Sequence, residues 1–114
     1  MDFPIEQLRP AVAGLADVWG RLGMTWSVSP TQPNYGKALV VAEFTSASWL
    51  AEIMIWVSGE AELGAVRLTD DRIVNKHYDL TGTADLDRLL GELTGLLTHD
   101  EIPADAVIAR YIQR

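Results

Sequence analysis

From Lys37 to Leu80 the chain is a succession of short β-forming segments, and this run limits the fold more than any other feature. Lys37–Thr45 (KALVVAEFT), Trp49–Val57, Glu60–Leu68 and Arg72–Leu80 (RIVNKHYDL) are each rich in β-branched, aromatic or alternating apolar residues. Between them stand only a serine-rich turn, Ser58-Gly59, and the TDD triplet at 69–71. Parallel neighbours need a crossover of a dozen or more residues, so these connections demand an antiparallel meander. Met24–Ser29 (MTWSVS) reads as a further strand, set off by the loop PTQPNYG.

Two amphipathic segments flank the strands. Ile5, Leu8, Val12, Leu15, Trp19 and Leu22 are spaced alternately by three and four residues, one stripe of a helix over 5–22. Gly23 is placed to cap its C-terminus, and Pro10 either kinks the helix or marks its first turn. After Leu80 the period changes. Leu86, Leu89, Leu90, Leu93, Leu96 and Leu97 form a second stripe, with Thr83 as N-cap and Asp85 and Asp87 suited to the first turn. Pro103 and Asp105 open a short last helix that would bury Val107, Ile108 and Tyr111. The expected fold is therefore α+β: an N-terminal helix, an antiparallel meander of about five strands, and two C-terminal helices packed on one sheet face. With 114 residues, 48% of them apolar, the chain forms a single domain over 1–114.

The hairpin EIMIWVSGEAEL raises a question of register. A two-residue loop pairs Val57 with Glu60, which puts Glu60 and Glu62 on the most apolar face. A three-residue loop with Gly59 in the left-handed conformation pairs Trp56 with Glu60 instead. Ile55 then meets Ala61, and Ile53 meets Leu63. Because a one-residue slip exchanges the faces, the second register is expected. It collects Glu52, Met54, Trp56, Glu60 and Glu62 on the opposite face. Tryptophan and methionine are favoured interface anchors, and carboxylates beside them select lysine or arginine, so these five residues form the candidate partner-binding surface.

Nothing in the chain spells out catalysis. There is no cysteine, which removes disulfides, thiol chemistry and thiolate metal sites. His77 and His99 are far apart and make no metal-ligand spacing; Asp70-Asp71 reads as a turn. No phosphate-binding or nucleophile-elbow motif occurs, so no catalytic residue, cofactor or metal is expected. The formal charge of −7 disfavours nucleic acid and suits a basic protein partner. The N-terminus has no signal-peptide pattern and no run of about 18 apolar residues occurs, so a cytoplasmic location and no membrane contact are expected.

The run from Trp49 to Leu97, with IWVSGEAEL, HYDL and DLDRLLGELTGLL, resembles the TriTu-type immunity proteins of bacterial polymorphic toxin systems. That resemblance implies a small cytoplasmic protein that neutralises a cognate toxin by stoichiometric occlusion, not by catalysis. The matching motif positions are Trp56, Gly59, Glu60 and Glu62. The alternative is a secretion-chaperone-like or adaptor protein that holds a client segment. It would act as a monomer or a homodimer, through the first helix or an open strand edge.

Overall fold

In the computed structural model, which describes residues 2–34 and 36–110, the alternating segments pair as one antiparallel sheet. The strands are β1 (Thr25–Val28), β2 (Gln32–Asn34), β3 (Lys37–Thr45), β4 (Trp49–Trp56), β5 (Glu60–Arg67), β6 (Arg72–Asp79) and β7 (Val107–Arg110). Their spatial order is β1-β3-β4-β5-β6-β7, and β2 pairs with the same strand, β3, as β1 does. β3 to β6 form the meander that their short turns require.

The β4–β5 register is the one that spares the carboxylates: Ile55 lies opposite Ala61, Ile53 opposite Leu63 and Ala51 opposite Ala65. Gly59 has φ +95°, and its N–H donates to the Trp56 carbonyl at 2.9 Å. The loop Val57–Gly59 is thus the three-residue type in which the last position is left-handed.

One face of the sheet is buried. It carries Val40, Ala42 and Phe44 of β3, Ile53 and Ile55 of β4, Ala61 and Leu63 of β5, and Val74 and Tyr78 of β6. Helices cover this face because their own apolar stripes need the same burial. A 3₁₀ turn at Ile5–Gln7 leads into α1 (Leu8–Ala13), and α2 (Ala16–Arg21) follows. The long helix α3 (Thr83–His99) buries all six leucines of its stripe. Each fully buried leucine contributes roughly 1.5–3 kcal/mol.

Three expectations about the helices need correction. Among the described residues there is one C-terminal helix, α3, and not two. Past it, the Ala106 N–H returns to the Pro103 carbonyl at 3.2 Å and Asp105 takes φ +65°, which closes a turn and ends any helical course. Val107–Arg110 then joins the open edge of β6 as β7, with Val74 opposite Ile108. Val and Ile favour extended backbone, and the β6 edge offers unsatisfied N–H and C=O groups. Val107 and Ile108 are exposed, and Tyr111 lies outside the described residues. The first helix is also broken, at Gly14-Leu15, although Leu8, Val12 and Trp19 of its stripe remain fully buried. Finally, the N-cap of α3 is Gly82, not Thr83. The Asp85 carboxylate reaches back to the Thr81 N–H and hydroxyl, both at 2.8 Å, and satisfies the helix entry from inside.

Among the described residues the strand count rises from about five to seven for a related reason. PTQPNYG is not all loop, because Gln32 and Pro33 lie opposite Leu39 and Ala38 of β3. β1 and β2 together span the β3 edge, which neither is long enough to cover alone.

Candidate functional site

Among the described residues, no helix covers the second face of the sheet. Directly paired residues share a face, so the register lays out its surface in rows. One row runs Thr45, Leu50, Val66, Ile73. The next runs Glu43, Glu52, Gly64, Asn75, and the third Val41, Met54, Glu62, His77. The last holds Leu39 beside Trp56 and Glu60 beside Asp79. This face carries five carboxylates, Glu43, Glu52, Glu60, Glu62 and Asp79, against Lys37.

All five residues expected to bind a partner, Glu52, Met54, Trp56, Glu60 and Glu62, lie on this face. They are not equivalent. Glu60 is held by the Lys37 ammonium at 3.0 Å and the Ser58 hydroxyl at 3.2 Å. The bond from Lys37 lowers its pKa from the ordinary glutamate value. Glu62 lies 2.8 Å from His77 Nδ1, and Asp79 lies 3.0 Å from His77 Nε2. Trp56 and Met54 are half-buried among these groups. Glu52 alone of the three glutamates has no such partner among the described residues.

With a carboxylate on each ring nitrogen, the charged form of His77 is favoured, and its pKa is raised, first by Glu62 and then by Asp79. A raised folded-state pKa contributes stability in full below the ordinary value of 6.5 and loses it as pH rises through the folded value. The group is exposed, so solvent screens the effect and the titration itself is the better readout. In a pH series of imidazole NMR spectra, His77 is expected to titrate above 6.5, and Glu62→Gln to move the midpoint back down. An unchanged midpoint in the variant would mean that the contact does not tune His77.

Sequence reasoning missed Glu43. It stands directly opposite Glu52 across β3 and β4, and both are exposed. The signal was present in the alternation of KALVVAEFT, but using it requires the β3–β4 register. That register depends on the Ser46 turn. The Ser46 hydroxyl accepts the Ser48 and Trp49 N–H groups, and the Ser46 N–H donates to the Trp49 carbonyl at 2.9 Å. Beside the two glutamates an open groove of about 320 Å³ runs between Leu50, Val66, Ile73 and Asn75. Gly64 forms its floor because it has no side chain to fill it.

Two further charged clusters are structural. Under α3, the Glu92 carboxylate takes the Lys76 ammonium at 2.9 Å and the buried Tyr78 hydroxyl. Burial opposes the charge of Glu92, yet these two donors keep its pKa below the usual value, while burial pushes the Tyr78 hydroxyl up. At the β5–β6 turn, Arg67 grips Asp70 through two bonds, at 2.6 and 3.0 Å, and holds its carboxyl well below the usual range. Arg67 and Arg72 both reach Asp100, the left-handed residue that ends α3. These pairs tie the turn to the helix end. His99 lies in the last turn of α3, far along the chain from His77. Among the described residues, no three His, Asp or Glu side chains converge to hold a metal ion, and no helix is long and apolar enough to cross a membrane.

Comparison with protein-family models, curated proteins and solved structures finds no match to this chain.

Proposed function

We propose that this protein neutralises a cognate protein toxin by stoichiometric binding, as its resemblance to TriTu-type immunity proteins implies, and that the uncovered sheet face makes the contact. The observation that carries the reading is the composition of that face: Trp56, Met54 and Leu50 set among five carboxylates, two of which have no cationic partner among the described residues. The half-buried tryptophan supplies contact area at low entropic cost, the flexible methionine adapts to a partner's shape, and the acidic surround steers a basic partner. The stripe of the first helix does not compete for this role, since its central residues are already consumed by the core.

The test is co-expression with the toxin domain encoded beside this chain. Restored growth and a 1:1 complex are expected; toxicity that persists despite a folded, expressed protein would end the proposal. In the same assay Trp56→Ala combined with Glu52→Lys is expected to weaken binding roughly a hundredfold. Its thermal midpoint is expected to stay within a few degrees of the parent, because both side chains lie on the open face. A parallel fall in stability and binding would instead make the face part of the fold alone.

A client-binding adaptor is the second reading, and β7 favours it. This edge strand exposes Val107 and Ile108, and extended segments add to such edges. Protection from toxin that survives the Trp56 and Glu52 substitutions would shift attention to that edge.

A further inference from the structure

The groove over Gly64 has one apolar wall, Leu50, Val66 and Ile73, and Glu43 and Glu52 beside it. We infer that it receives an arginine side chain from a protein partner. This assignment rests on the outer face being the partner surface, and it names the chemistry of what docks there.

Charge complementarity selects the occupant. Glu43 and Glu52 form a direct cross-strand pair, an arrangement of like charges that destabilises a sheet. Neither has a cationic partner among the described residues, whereas Glu60 and Glu62 do. The chain therefore keeps an unrelieved repulsion where the surface is also concave. A guanidinium relieves it in one step. It is planar, weakly hydrated, and presents five donors, so it can bond both carboxylates at once. Its aliphatic stem needs an apolar bed, and the Leu50, Val66, Ile73 row supplies one. Gly64 adds no side chain to the floor, and the Asn75 amide lies against it, with Oδ1 3.1 Å from where a Cβ would stand. That oxygen is a further acceptor at the same place. A second hollow of about 180 Å³, lined by Thr25, Ser27, Glu43 and Thr45, continues the groove past Glu43 toward β1. The partner backbone thus has a path from the groove past Glu43 toward β1.

The test uses the full chain, ¹⁵N-labelled, and three capped tripeptides in which leucines flank arginine, citrulline or lysine. The arginine peptide is expected to shift the amide signals of Leu50, Glu52, Gly64 and Ile73. Citrulline, which keeps the shape and loses the charge, is expected to bind about tenfold more weakly, and lysine measurably more weakly than arginine. The Glu43→Gln, Glu52→Gln double variant is expected to lose the preference for arginine over citrulline, with the rest of its spectrum superimposing on the parent. Equal binding of arginine and citrulline, equal binding of arginine and lysine, no shifts, or shifts confined to another surface would each overturn the assignment. The toxin proposal fails separately. Arginine selectivity without protection in the co-expression assay removes the toxin reading and leaves the groove, and protection without arginine selectivity does the reverse.

Discussion

Trp19→Ala is expected to lower the unfolding free energy by about 3–5 kcal/mol, a large share of the roughly 5–15 kcal/mol that holds a domain folded. Trp19 is fully buried and lies against Phe44 of β3, with ring centroids 4.8 Å apart. Its indole N–H donates to the Val12 carbonyl at 2.9 Å. That carbonyl sits where the first helix breaks, and Leu15 N–H meets it at 3.0 Å. The indole therefore spans the break and fixes α2 relative to α1, while its ring anchors both to the sheet. Trp19→Phe separates the two roles. It keeps most of the ring and loses the donor, at an expected cost nearer 1–2 kcal/mol beyond any repacking. Chemical denaturation of both variants measures the difference. Equal losses would show that packing against Phe44 is not the larger part.

Gly59→Ala is expected to cost about 2–4 kcal/mol, for reasons that combine backbone and contact. The residue holds φ +95°, where a side chain is strained in any surroundings. A Cβ there would run into the Leu80 carbonyl oxygen. Relief requires moving Leu80, which is buried and whose N–H donates to the Gly59 carbonyl at 2.7 Å. Gly23→Ala is the control. Gly23 has a similar sign of φ, at +67°, but an added Cβ meets nothing within 4 Å. Its cost is expected to be about 1 kcal/mol, the backbone part alone. If thermal melts show the two variants equally destabilised, the contact with Leu80 is not a constraint.

The hairpin at Gly59 also shows how much of the site was legible. Sequence alternation put Glu52, Met54, Trp56, Glu60 and Glu62 on one face, because the other register would have buried carboxylates. What alternation does not carry is which charges neutralise each other. Lys37 reaches Glu60 from 23 positions away, and His77 reaches Glu62 from 15. Those pairs arise between strands brought side by side by the whole sheet. The same is true of Glu43, whose place beside Glu52 follows only once β3 and β4 are aligned.

The local sequence by itself determined the meander and the long leucine helix. Short turns allow only antiparallel neighbours, and the periods of two and three to four residues admit one buried face for each element. The last strand belonged to tertiary structure. Val107–Arg110 follows Pro103 and Asp105, residues that suit a helix start as well as a turn, and its side chains carry no decisive pattern. The open edge of β6 decided between them, because unpaired backbone groups gain more from a neighbouring strand than four exposed residues gain from an isolated helical turn.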